Sequence, residues 1–346
     1  MIEPWHAVSF SQGMIKYKSF RINIFKSSPR QRGIISDSFS QRVYAMSQPT
    51  VLVVGASGAQ GGSVARHLLH QRRFKVRALT RDPNSRRAQA MRQAGVEVVY
   101  GDLDNIDSLR TALIDCQAVF GVTNYWEHYE LEYTQGRQLI EAIITSRVRH
   151  IILSTQPPAS TISHRTLAVP QYDLKAHLEA YVRETALPAS FVHIAFYYDN
   201  FLHQFLPQQQ ADGNYCIRLP QDDIPLAAVA TADIGGVIAA MFADPETFIG
   251  QTVGIVGDDR PIAEYAQIMS QMSELPIRYQ PMHYTEFAQL TLPGAQDWAA
   301  QFEFNRRYVL ERKNDLSRCQ QLYPALRSFA AWLQPQAAKL RAQLVQ

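Results

Sequence analysis

The apolar run Val51-Leu52-Val53-Val54 leads straight into Gly55-Ala56-Ser57-Gly58-Ala59-Gln60-Gly61-Gly62, and an amphipathic stretch, Ser63 to His70, follows at once. No other feature restricts the possible folds as much. A short continuous apolar run rich in β-branched residues reads as a strand buried on both faces, the kind found in parallel sheets covered by helices. The glycine spacing is G-x-x-G-x-x-G. The first glycine permits a tight turn, the second lets the backbone approach a diphosphate, and the third lets the helix pack on the strand. The helix start offers unpaired N–H groups and partial positive charge to phosphates. Between a strand and a helix, inside a βαβ unit, such a loop predicts a dinucleotide site.

The rhythm continues. Strands are expected at Lys75–Leu79, Val96–Tyr100, Ala118–Val122, His150–Leu153 and Phe191–Ile194, with helices near 85–94, 106–114, 131–146 and 173–184. In the last helix Leu174, Leu178 and Tyr181 fall at i, i+4 and i+7, one apolar stripe. Alternation at this spacing predicts an α/β fold, a Rossmann-type doubly wound parallel sheet. Beyond residue 200 the pattern changes to short strands with Pro and Gly. A helix Ile234–Met241 follows Thr231-Ala232-Asp233, then come a strand Thr252–Val256, a helix after Pro261 and a helical tail. The division expected is an extension over 1–48, a nucleotide-binding domain over 49–200, and a smaller, mainly helical C-terminal lobe over 201–346 whose chain crosses back to the sheet. The tail aromatics Trp298, Phe302, Phe304, Phe329 and Trp332 are expected to pack that lobe, some of them walling a pocket.

The formal net charge of +3 is uneven. Residues 1–45 hold seven basic residues (Lys16, Lys18, Arg21, Lys26, Arg30, Arg32, Arg42) and two acids (Glu3, Asp37), so the remaining chain is nearly neutral. Such a surface has no broad cationic field for a phosphate backbone, which argues against direct nucleic-acid binding. Rich in Ser and basic residues, the leading segment reads either as an organelle transit peptide or as sequence upstream of a start at Met46. It is expected to be poorly ordered. No run of 18 apolar residues suggests a membrane span. The three scattered cysteines, Cys116, Cys216 and Cys319, suggest neither a disulfide framework nor zinc, and fit a cytoplasmic protein. His164, His177 and His193 lack metal-ligand spacing, so no metal site is expected.

The second strand ends at Thr80-Arg81-Asp82-Pro83. An acid there would accept from ribose hydroxyls and favour NAD(H), whereas an arginine can hold the 2′-phosphate of NADP(H). Arg81 comes first and favours NADP(H); Asp82 leaves NAD(H) open. The pairs Arg72-Arg73 and Arg86-Arg87 read as solvated surface, with Arg86 a secondary candidate for the phosphate.

The segments G-A-S-G-A-Q-G-G-S-V-A-R (55–66), T-R-D-P (80–83), G-D-L-D-N (101–105), V-T-N-Y-W-E (122–127), F-Y-Y-D-N-F (196–201), P-G-A-Q-D-W-A (293–299) and L-Y-P-A-L-R-S-F-A-A-W-L (322–333) together resemble the NmrA-like family, an atypical branch of the short-chain dehydrogenases. The likeness runs over roughly residues 50–335. The resemblance implies that Gly55, Ala56, Ser57, Gly58, Ala59, Gln60 and Gly61 form the pyrophosphate loop and that Arg81 holds the 2′-phosphate. It further implies that Asp102 and Leu103 flank the adenine, and that Thr123, Asn124 and Tyr125 line the ribose and nicotinamide side. Lys175 would contact the nicotinamide ribose, and Tyr197, Tyr198, Asp199 and Asn200 would close over the nicotinamide. Sensor members of the family also carry a lysine on the helix after strand four, where this chain offers Thr134 or Arg137.

Typical short-chain dehydrogenases place Tyr and Lys at i and i+4 on one helical face, and the tyrosine transfers a proton as hydride moves. Here Gln171 stands four residues before Lys175, and an amide cannot act as a general acid. Tyr172 is rotated by roughly 100° around the helix. Ser154-Thr155 keeps a hydroxyl at the end of strand five. The resemblance then implies a redox sensor that responds to the NADPH/NADP balance without efficient catalysis, passes its signal to a protein partner, and forms a homodimer whose state shifts with the nucleotide. The alternatives are an NAD(P)H-dependent reductase of quinone- or enone-like substrates with Lys175 as its catalytic residue, and a transcriptional co-regulator acting through protein contacts.

Overall fold

The computed structural model describes residues 48–309 and 312–345. The expectations for the extension and its start lie almost entirely outside the described residues.

Alternation dominates the first part of the chain. Strand β1 (Thr50–Val53) is followed by helix α1 (Ala59–Gln71), β2 (Lys75–Thr80), α2 (Arg86–Gln93), β3 (Glu97–Tyr100), α3 (Ile106–Ala112), β4 (Ala118–Gly121), a short turn of helix α4 (Tyr125–His128), α5 (Glu132–Ile144), β5 (His150–Thr155), α6 (Pro170–Arg183) and β6 (Ala189–Ile194). Then come β7 (Phe196–Tyr197), a 3-10 turn (Tyr198–Leu202), β8 (Gln208–Gln209), β9 (Tyr215–Ile217), β10 (Leu226–Val229), α7 (Ile234–Ala243), β11 (Thr252–Ile255), β12 (Asp258–Arg260), α8 (Ile262–Ser273), β13 (Ile277–Tyr279), α9 (Ala295–Tyr308) and α10 (Lys313–Leu322).

Seven strands form one sheet in the order β3-β2-β1-β4-β5-β6-β11, all pairs parallel. The seventh strand reaches the sheet from beyond residue 200, with Val253 beside Val192. One face is covered by α1 and α7 through Val64, Leu68, Ile234 and Val237, and the other by α3, α5 and α6 through Leu109, Leu139, Ile143 and Leu178. Each such side chain contributes about 1.5–3 kcal/mol when fully buried. The order reverses between β1 and β4. At such a switch point the connections leave in opposite directions and open a crevice at the carboxyl ends of the strands.

Two small sheets, β12-β10-β7 and β13-β9-β8, carry the residues above that crevice. Their core is aromatic: Phe196, Tyr198, Phe201, Phe205, Tyr265, Phe287, Phe302, Phe329 and Trp332 are all buried. Helix α1 starts earlier than its hydrophobic period indicates, inside the glycine loop, where Gly62 N donates to Gly58 O at 3.0 Å. The low helix propensity of glycine is overridden there by packing against the sheet.

Candidate dinucleotide cleft

A cleft of about 840 Å³ opens where β1 and β4 diverge. Its floor is the glycine loop. Gly55 takes φ 65°, and Gly58 N donates to Gly55 O at 2.9 Å, which closes the turn. A Cβ on Gly61 would stand 2.4 Å from Gly55 O, so only hydrogen fits. Helix α1 has no side-chain cap and no acid in its first turn, which leaves its leading amides to a ligand. Gln60 Nε2 crosses the cleft and donates to Tyr197 Oη at 2.7 Å.

One end is set by the termini of β2 and β3. Arg81, Asp82, Ser85, Arg87, Asp102 and Leu103 all line it. Arg81 donates to Glu127 Oε1 at 2.8 Å, and both side chains are largely exposed. Arg87, read from sequence as solvated surface, faces this end; Arg86 does not line the cleft.

The other end holds a buried charged pair. Lys175 Nζ donates to Thr123 Oγ1 at 3.0 Å and to the Thr123 carbonyl at 3.2 Å, and it forms an ion pair with Glu132. Thr123 Oγ1 in turn donates to Glu132 Oε1 at 2.7 Å. Only 13% of the Lys175 side chain and 2% of that of Glu132 are exposed. Burial pulls the Lys175 ammonium below its ordinary pKa, against the opposing pull of Glu132. Sequence reading missed Glu132. Its signal lay in spacing, because Glu132, Gln135, Gly136 and Leu139 fall at i, i+3, i+4 and i+7 and form the buried face of α5. The alternatives named for this helix do not serve: Thr134 is exposed, and Arg137 bonds Glu141 at 2.8 Å and lies over Tyr181.

Of the eighteen sequence-assigned cofactor positions, fifteen line this one cleft and three do not. Ala56 packs in the core against the sheet. Tyr198 is fully buried among the small-sheet aromatics, 5.1 Å from Phe329 and 5.4 Å from Trp332. Asp199 accepts from Thr231 N at 3.0 Å. The 3-10 turn explains the last two. It aligns residues three apart, so Tyr197 and Asn200 share the cleft face while Tyr198 and Asp199 turn away.

Helix α6 starts at Pro170, so Gln171 and Lys175 stand one turn apart on the cleft side. Gln171 Nε2 donates to the Asp297 carbonyl at 3.0 Å and to Gln301 Oε1 at 3.2 Å. Tyr172 packs edge-on against Phe304 at 5.8 Å, and burial pushes its phenol up to about 12. Ser154 lines the cleft, while Thr155 Oγ1 is committed to Glu179 at 2.6 Å.

Above this end, α4 and the start of α9 are joined. Tyr125 Oη donates to Asp297 Oδ2 at 3.0 Å, and the Trp126 and Trp298 rings stack with centroids 4.8 Å apart and planes 14° apart. Gly294, at φ 71°, makes room for this; a Cβ there would meet Trp126 at 2.4 Å. Trp298 and Gln301 line the cleft from α9, more than a hundred residues from the glycine loop. Among the described residues no group of three or more His, Cys, Asp or Glu is placed to hold a metal ion, and no helix is long and apolar enough to cross a membrane.

A doubly wound parallel sheet, a glycine turn under an uncapped helix and a long cleft at the switch point define a protein of the Rossmann-type dinucleotide-fold class. Within that class the chain belongs to the NmrA-like family, whose profile matches residues 47–333. It is 31% identical over 251 residues to the NmrA-like family domain-containing oxidoreductase notA of an Aspergillus species, covering 65% of this chain and 72% of that one. A Dictyostelium discoideum NmrA-like family domain-containing protein is 27% identical over 248 residues, or 68% of this chain and 82% of that one. In fold the chain is similar to the negative transcriptional regulator NmrA, solved with NAD (TM-score 0.71, 20% identity, 83% of this chain and 95% of that chain) and with NADP (0.69, 21%, same coverage). It is also similar to a Citrobacter triphenylmethane reductase solved with NADP(H) (0.69, 21%, 84% and 99%).

Proposed function

We propose that the cleft binds a nicotinamide dinucleotide, NADP(H) ahead of NAD(H). The observation that carries this reading is the glycine cradle, where Gly61 has no room for a Cβ and the amides of α1 are uncapped, with Arg81 and Arg87 at one end and buried Lys175 at the other. Gly55, Ser57, Gly58, Ala59, Gln60 and Gly61 would hold the diphosphate, and Asp102 and Leu103 would flank the adenine. Thr123, Asn124, Tyr125, Lys175, Tyr197 and Asn200 would line the ribose and nicotinamide. The 2′-phosphate would draw Arg81 from Glu127, an exposed pair worth about 0–1 kcal/mol and easily displaced. Nucleotides in related folds, NADP and NAD in NmrA and NADP(H) in the triphenylmethane reductase, support a nicotinamide dinucleotide of either kind. Calorimetric titration with NADPH, NADP, NADH and NAD tests it. A preference for the phosphorylated forms that vanishes in Arg81→Ala is expected; equal affinity for all four overturns it.

The nicotinamide, when bound, supplies or accepts a hydride. This chain gives that chemistry little proton support. Gln171 holds no acidic proton, the Tyr172 phenol lines the cleft but burial pushes its pKa up to about 12, and Lys175 is held by Glu132 and Thr123. We therefore read the site as one where nucleotide occupancy matters more than fast turnover, a sensor of the NADPH/NADP balance. Reduction changes the ring's charge, and the Lys175–Glu132 pair is the feature able to read that change. Negligible NADPH oxidation with a panel of quinones and enones is expected. Turnover that is lost in Lys175→Ala overturns the sensor reading and favours a reductase. The second reading has its own support, a cleft whose lining includes Phe196, Gln204 and Trp298 besides the residues assigned to the nucleotide, and the oxidoreductase names of several relatives.

A further inference from the structure

The dinucleotide reading leaves a buried atom at the Lys175 end of the cleft unexplained. Gln171 is 4% exposed, and its Oε1 has no hydrogen-bond partner. The amide cannot be turned around, because Nε2 faces a backbone carbonyl, that of Asp297, and an oxygen there would meet another acceptor. The orientation is thus fixed, and a buried acceptor without a donor costs about 1–3 kcal/mol. A polar group left so at the wall of a pocket accepts from a bound water or from a ligand that donates to it. The walls give the rest of that ligand's chemistry: aromatic carbon of Phe196 and Trp298, whose rings meet edge to face at 6.4 Å, with the amides of Gln204 and Gln301.

We propose that Gln171 Oε1 is the recognition point of a second ligand, a neutral planar ring compound with an N–H donor next to a carbonyl, bound beside the nicotinamide. The residue at the usual proton donor's place is here a ligand-orienting acceptor. This inference rests on the dinucleotide reading. The cofactor's own carboxamide offers the same N–H chemistry, so the test separates the two.

The full chain is titrated first with NADPH and then, saturated with NADP, with isatin and N-methylisatin and with phthalimide and N-methylphthalimide, followed by calorimetry. The N–H compounds are expected to bind about tenfold more tightly than their N-methyl forms, the scale of one hydrogen bond. In Gln171→Leu the gap is expected to close; a mere clash with the methyl group would keep it open. Equal affinity within both pairs, or no binding of either N–H compound, overturns the proposal, and wild-type protein alone decides this even if the variant folds poorly. If Gln171→Leu weakens NADPH tenfold and leaves the gap intact, the acceptor serves the cofactor carboxamide and the proposal fails. Failure to bind NADPH removes both readings, whereas NADPH binding without the N–H preference removes only this one.

Discussion

His150 is buried in β5, and its Nε2 lies 2.8 Å from Ser190 Oγ. Ser190 spends its only proton on the Phe248 carbonyl at 2.7 Å, so it must accept from Nε2–H, and the imidazole is neutral with a bare Nδ1. Burial lowers its pKa to about 4. The unfolded chain, with an ordinary histidine near 6.5, then binds more protons than the folded one between those values, so stability falls as pH drops from 6.5 toward 4. The loss reaches at most about 3 kcal/mol. Urea unfolding at pH 7 and pH 4.5 checks this, with a smaller difference expected in His150→Asn. At the other end of the molecule Glu132→Gln would leave the Lys175 ammonium buried without its counter-charge. That change is expected to destabilise the fold by about 3–5 kcal/mol, read from the same urea transition.

At the scale of elements the glycine turn decides most. Gly61→Ala forces a Cβ to within 2.4 Å of Gly55 O, so the turn must open and the leading amides of α1 lose their common aim. At least a tenfold loss of NADPH affinity by calorimetry is expected; unchanged affinity would show that the diphosphate sits elsewhere. The loop, the strands beside it and the end of β2 were legible in the sequence because each is written in residues adjacent in the chain: an apolar run, a glycine spacing, Arg81 at a strand terminus. Helix α4 was not, since four residues are too few to show a period. Tyr198 and Asp199 were misplaced for a related reason. All four residues from Tyr197 to Asn200 were expected to close over the nicotinamide, and a 3-10 turn brings only every third one to a given face. Glu132 was readable from its i, i+3, i+4, i+7 companions, but only once their face was known to be buried.

Across the whole molecule, what sequence could not show is what comes together from afar. Gln171 meets Asp297 and Gln301, and Tyr125 meets Asp297, across more than a hundred residues, and no local pattern encodes such contacts. The seventh strand is similar: β11 is an ordinary short apolar run, and only its register with β6 makes it part of the seven-stranded sheet. Because the cleft draws on the ends of β1 through β6 and on α9 at once, a nucleotide bound there would secure distant parts of one structure. NADPH at a hundred times its dissociation constant should stabilise the chain by about 2.7 kcal/mol. For a chain of this size that is a rise of roughly 4 °C in Tm by calorimetric scan. A rise that persists in Gly61→Ala would locate the binding elsewhere.

The stacked indoles of Trp126 and Trp298 carry a spectroscopic consequence. Two such chromophores held face to face at 4.8 Å couple their electronic transitions, so the native protein should show an exciton couplet in its ultraviolet circular dichroism. The couplet depends on the separation and mutual tilt of the rings, and Gly294 is what allows the present spacing. It would therefore report, without any added dye, whether a ligand parts the two segments or presses them together, and it should vanish in Trp126→Phe.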